Sequence, residues 1–114
     1  MKLGTYDFQP RVGDVTYAFP YAASGCKQMS GNRIRLTLTK DSNGAWQSAG
    51  LLGPTLGFGT YSFEIQGRLD VFDPNLVIAA WLYNDANKDE VDFIEATRWG
   101  DLNNPNVFHL VTWK

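Results

Sequence analysis

The chain has 114 residues, 10 basic against 12 acidic side chains, a formal net charge of −2, one Cys and one His. A domain of this length buries a core without crosslinks, and its unclustered, nearly balanced charge leaves no footprint for nucleic acid or an anionic membrane surface. Cys26 alone excludes an internal disulfide, one His beside one Cys excludes the usual His/Cys zinc sets, and the longest apolar run, 76–83, is too short to span a bilayer.

No apolar stretch follows Lys2, so the expectation is one soluble domain over 1–114, without a secretion signal in this sequence, a metal or a cofactor. Aromatic residues make up 14% of the chain. They suit a β core and also a sugar-binding surface, because flat apolar rings match the C–H faces of pyranoses.

Between Gly and Asn/Asp punctuation, nearly every segment is rich in Val, Ile, Thr, Phe, Tyr and Trp, which predicts an all-β fold, a sandwich or jelly roll. Arg33 to Lys40 reads as a strand, with Ile34, Leu36 and Leu38 alternating with Arg35, Thr37 and Thr39. Gly44 and its neighbours turn the chain. Gly59 to Phe72 repeats the alternation at greater length: Tyr61, Phe63, Ile65, Leu69 and Val71 on one face, Ser62, Glu64, Gln66, Arg68 and Asp70 on the other. It reads as a long strand with a polar face.

Asp73, Pro74 and Asn75 form a turn, since proline fixes φ and Asp and Asn accept turn geometry. Leu76 to Tyr83 is apolar throughout, which predicts a strand central in its sheet. Asn84 to Asp89 is a polar connector of hairpin length, so Glu90 to Trp99 should pair antiparallel to the preceding strand. A turn at Asn103 to Asn106 leads to a last strand, Val107 to Trp113.

The chemistry concentrates in Glu90 to Glu95. Glu90 and Asp92 share a face, while Val91 and Phe93 point the other way. Regular pleating would put Glu95 on the core face, where an unpaired carboxylate is costly. A one-residue β-bulge at Phe93 or Ile94 absorbs the extra residue and returns Glu95 to the face of the other two acids. Residues four register positions apart lie ~13 Å apart along a strand, and two inward-reaching Glu side chains close most of that gap. About 5 Å remains, the separation a retaining glycosidase uses. Crowded like charges disfavour joint ionisation, so one Glu can hold a proton while its partner stays ionised. If the hairpin loop is centred between Ala86 and Asn87, Tyr83 opposes Glu90 and Trp81 opposes Asp92, placing two rings on the acid face.

Glu90-x-Asp92-x-x-Glu95 resembles the bulged catalytic signature of glycoside hydrolase family 16, the laminarinase and lichenase-like enzymes. Three further segments resemble parts of the same pattern. Gly57-Phe58-Gly59-Thr60-Tyr61-Ser62-Phe63-Glu64 is similar to the family's long strand entered by a glycine turn, and Ala79-Ala80-Trp81-Leu82-Tyr83 to the strand leading into the catalytic one. Arg98-Trp99-Gly100-Asp101 with Asn104-Pro105-Asn106 resembles a bacterial subgroup of concanavalin A-like relatives. The resemblance spans roughly residues 33 to 106. It implies a two-sheet jelly roll with a concave sugar-binding face, a secreted enzyme, Glu90 as nucleophile, Asp92 as its assistant and Glu95 as general acid/base, acting on β-glycosidic links of a polysaccharide. Trp81, Tyr83, Glu64, Arg68, Arg98 and Trp99 are the substrate-binding candidates. Trp81 and Tyr83 suit core packing as well as a subsite, Glu64 and Arg68 fit a plain solvated face before a cleft, and Arg98 and Trp99 either orient Glu95 or pack at the sheet edge.

The family's jelly roll continues for several strands beyond the catalytic one, so this chain is expected to hold about the N-terminal half of the sandwich. A half-sandwich exposes a strand edge and an apolar sheet face, which predicts a homo-oligomer that completes it. Two rivals stand beside the hydrolase: a carbohydrate-binding domain whose truncated cleft performs no chemistry, and an oligomeric β fragment without a sugar function. His109 and Cys26 read as structural, Cys26 as an inert thiol without a base partner. Asp85-x-Asn87-x-Asp89 fails as an EF-hand, because Glu90 stands where Gly is required.

Overall fold

The computed structural model describes residues 1–15, 18–105 and 107–113, and the chain is all-β apart from 3-10 turns at Ala23–Gly25 and Leu69–Val71. It forms two compact units, Met1–Thr60 and Tyr61–Lys114.

The first unit is a set of short ladders. Strand β1 (Lys2–Leu3) pairs with β2 (Tyr6–Asp7), and β3 (Gln9–Pro10) pairs with the later β10 (Leu51–Leu52). Between them run β4 (Gly13–Val15) with β5 (Ala18–Tyr21), β6 (Cys26–Met29) with β7 (Arg33–Leu36), and β8 (Thr39–Lys40) with β9 (Trp46–Gln47). The strand expected over Arg33 to Lys40 is therefore two strands. At the break, the Thr37 N–H donates to the Gly25 carbonyl at 2.9 Å instead of continuing the ladder. Gly25 is required there: a Cβ would lie 2.4 Å from the Thr37 carbonyl oxygen.

Side chains close this unit where strands are too short to do so. The Gln28 amide accepts from the Lys2 N–H at 2.6 Å and donates to the Lys2 and Arg33 carbonyls at 3.0 Å each, fastening β1 to the β6–β7 hairpin. Asp41 accepts from the N–H groups of Asn43 and Ala45, which forms the expected turn around Gly44. The buried Cys26 thiol donates to the Gly50 carbonyl at 3.3 Å.

The second unit is organised by one three-stranded antiparallel sheet of order β11 (Ile78–Tyr83), β12 (Glu90–Ala96) and β13 (Phe108–Trp113). The expected hairpin is present, with Tyr83 opposite Glu90 and Trp81 opposite Asp92. Asn84 closes its loop by accepting the Ala86 N–H on its side chain and the Lys88 N–H on its carbonyl. Two expectations are corrected. Strand β11 is not central: among the described residues it pairs only with β12, which takes the central place because β13 folds back onto its other edge. Gly59 to Phe72 is not a strand. Gly67 takes φ 131° and residues 69–71 curl into a 3-10 turn, so the chain leaves the extended path despite its alternation. Two of its apolar positions still make contacts: the Phe63 ring stacks on Phe93 at 5.6 Å, and Tyr61 lines a groove with Leu82, Val91 and Phe93.

The strand expected over Glu90 to Trp99 ends at Ala96, and the last strand begins at Phe108. The turn expected at Asn103 to Asn106 falls partly outside the described residues, at Asn106; its first part is held by the Asn104 N–H on the Asp101 carbonyl and the Asn103 N–H on the Asp101 carboxylate.

Candidate functional site

Strand β12 carries the expected bulge. Against β11 its partners run Glu90–Tyr83, Val91–Leu82 and Asp92–Trp81, then resume at Ile94–Ala80 and Glu95–Ala79, so Phe93 is the extra residue. Against β13, Asp92 pairs with Val111 and Glu95 with His109, which again leaves one residue too many on β12. The consequence follows from parity. Ala79, Trp81 and Tyr83 alternate along β11 without interruption and so share one face; their partners Glu95, Asp92 and Glu90 must share it too. On β13 the partners of the same acids are His109, Val111 and Trp113, likewise every second residue.

The acid face thus carries three rows across the sheet: Tyr83–Glu90, Trp81–Asp92–Val111 and Ala79–Glu95–His109. Asp92, in the middle, is buried at 6% exposure, while Glu90, Glu95 and Trp81 are half-buried and Tyr83 is exposed. A carboxylate is rarely buried to this degree, because ions are better solvated by water. The opposite face is apolar. It holds Leu82 with Val91 and Thr112, Ala80 with Ile94, and Ile78 with Ala96 and Phe108.

Next to the Glu95 row the chain leaves β12 through Thr97, buried at 4%, whose N–H donates to the Val107 carbonyl. The following turn brings the Trp99 ring to 6.0 Å from the His109 ring, tilted by 51°. The Nε2 of His109 is buried without a hydrogen-bond partner. The sequence reads His109 as structural, and the register of β13 sets it opposite Glu95. Its face depended on the register of β13, which no loop length or periodicity specifies, and the only local signal was its place in the last predicted strand.

Glu64, Arg68 and Arg98 lie outside the ladder. Glu64 is exposed in the extended run before Gly67. Arg68 pairs with Asp70; that ion pair raises the guanidinium above its ordinary range and holds the Asp70 carboxyl below its own. Arg98 donates to the Asp70 carbonyl at 2.6 Å and to the Leu102 carbonyl at 3.3 Å, so it braces the turns beside β12. At the far end of the grid, Lys88 lies over the Tyr83 ring at 5.8 Å, its ammonium held above the ordinary range first by its hydrogen bond to Asp85 and then by Tyr83.

Among the described residues no group of three or more His, Cys, Asp or Glu is arranged to hold a metal ion, and no helix is long and apolar enough to cross a membrane. The three acids form a row along one strand. In comparisons with known proteins, no family model, no curated protein and no solved structure matches the chain.

Proposed function

We propose that the chain carries the catalytic strand of a retaining β-glycoside hydrolase of the family 16 type, acting on a β-glucan-like polysaccharide. The observation that supports this reading is the bulge at Phe93, which sets Glu90, Asp92 and Glu95 on one face of β12 beside Trp81 and Tyr83. The bulge interrupts the ladder, and its consequence at this position is to bring a third acid to that face.

In this reading Glu90 attacks the anomeric carbon while Glu95 gives its proton to the departing glycosidic oxygen, leaving a sugar covalently bound to Glu90. Glu95, now ionised, takes a proton from water, which attacks the same carbon and frees Glu90. Asp92, between the two and nearly buried, holds the nucleophile's carboxylate in place. Trp81 and Tyr83 present ring faces to the sugar. The fold expected with this function is the jelly roll, of which the β11–β13 sheet would be one layer.

Glu90→Ala and Glu95→Ala should each abolish the release of reducing ends from laminarin and barley β-glucan while the chain stays folded. Equal activity in the wild type and both variants would refute the assignment. Stable glycan binding without any hydrolysis would instead favour the binding-domain reading.

A specific observation supports a homo-oligomer as well. On the apolar face, Leu82, Val91, Phe108 and Leu110 are all exposed, Leu110 at 75%. Several neighbouring apolar side chains on one sheet face call for a covering layer, and in a solution of this chain alone a second copy supplies it. Light scattering that gives the monomer mass at micromolar concentration would refute that arrangement.

A further inference from the structure

Residues Arg98 to Asp101 form a tight turn in which Trp99 and Gly100 take φ of 53° and 79° and the Asp101 N–H donates to the Arg98 carbonyl at 3.0 Å. This is the pattern of a type I′ turn, whose first central position favours Asn, Asp or Gly. Gly100 fits its place. Trp99 does not: a left-handed conformation is disfavoured for a side chain with a Cβ, and a bulky ring has no local hydrogen bond with which to offset it. The turn is held from outside by the Gly100 N–H on the Pro74 carbonyl at 2.8 Å and the Trp99 N–H on the Thr97 hydroxyl at 3.1 Å, bonds that Asn at 99 would make equally well.

Core packing does not explain the tryptophan either, because the residue is 59% exposed. What the strained turn achieves is the ring's position: beside His109, the cross-strand partner of Glu95, at the end of the acid row away from Tyr83. We propose that Trp99, braced by His109, is a stacking platform for the sugar on the leaving-group side of the cleaved bond. This rests on the glycosidase reading above. If Glu95 protonates the departing oxygen, the departing sugar lies on the Glu95 side. An indole face held open there meets the C–H face of a pyranose, while the shielded imidazole edge keeps the ring from collapsing onto the sheet.

The test separates strain from function with Trp99→Asn, which suits the turn and removes the ring, and Trp99→Phe, which keeps a smaller ring. Each is placed in a Glu95→Gln background and titrated calorimetrically with laminarihexaose and cellohexaose. Trp99→Asn should bind the better hexaose about tenfold more weakly, a loss near 1.4 kcal/mol, with Trp99→Phe in between. Its melting temperature should be unchanged or higher, because the strain is gone. In the chain with Glu95 intact, Trp99→Asn should slow hydrolysis of the polysaccharide but not of β-laminaribiosyl fluoride, whose leaving group carries no sugar. Unchanged hexaose affinity, or a lowered melting temperature with affinity lost equally in both variants, would overturn the platform and leave the carboxylate assignment standing. Absence of binding by every chain, the Glu95→Gln parent included, would overturn the glycan reading and the platform with it.

Discussion

The two faces of the β11–β13 sheet are built from the same three strands and differ only in the parity of their residues. One carries Glu90, Asp92 and Glu95 with Trp81, Tyr83 and His109; the other carries Leu82, Val91, Ile94, Phe108 and Leu110. A single extra residue, Phe93, keeps the two sets apart across the length of β12. In the reading proposed above, chemistry belongs to one side of the sheet and association to the other, which makes the two separable by mutation.

The most damaging change to that division is deletion of Phe93. Without the bulge, either Glu95 and Ala96 exchange faces, which drives a carboxylate into the apolar side, or the ladder to β13 slips. Activity should vanish and stability fall by about 2–4 kcal/mol, read by urea unfolding at neutral pH. A fully active deletion variant would mean that parity does not organise the site.

A smaller effect, confined to the acid face, is expected from Asp92→Asn. The shape is kept and the carboxylate replaced, so hydrolysis should slow by roughly 10- to 100-fold. Unaltered kinetics would remove Asp92 from the site. On the opposite face, Leu110→Glu should shift the oligomer to monomer in light scattering with hydrolysis per chain preserved, and cost no more than about 0.5 kcal/mol because this side chain is already exposed. Activity lost together with assembly would show that the faces are not independent.

The smallest effect concerns neither face. Asp73 accepts hydrogen bonds from the backbone and side-chain N–H groups of Asn75, the first of which is the main cause holding its carboxyl below the ordinary range. A depressed carboxyl stabilises the fold above its unfolded value of about 3.9 and loses that contribution as pH falls through the lower folded value. Asp73→Ala should therefore melt slightly below the wild type at neutral pH, with the difference closing as the pH falls through the lowered folded value. A gap that persists at low pH would assign the effect to the backbone turn instead of the charge.

The acid face was legible in the sequence because two independent constraints agreed there. Glu95, five positions after Glu90 and so on the wrong face of a regular strand, demands a bulge, and the length of the polar connector sets the register of Tyr83 and Trp81. Elsewhere only one constraint was available. In Gly59 to Phe72 alternation predicts facing, and facing survives in the stacking of Phe63 on Phe93, but strand pairing needs a neighbouring ladder that periodicity does not reveal. The uniform apolarity of Leu76 to Tyr83 suggested cover on both faces and a central place; the strand is at an edge, with Leu82 and Tyr83 exposed. The meeting of His109 with Glu95 and Trp99 depended on the path from Thr97 to Val107, which no short motif encodes.

Cys26, the first residue of β6 in the β6–β7 hairpin, is 9% exposed, its thiol donates to the Gly50 carbonyl, and it is the chain's sole cysteine. A thiol-reactive dye therefore labels the native chain only as fast as that hairpin opens, so the labelling rate is a clock for local opening in the first unit. Run on chains altered at Glu90, Asp92, Glu95 or Trp99, all of which belong to the second unit, the same clock tells whether a change made at the carboxylates is felt sixty residues away in sequence or stays where it was made.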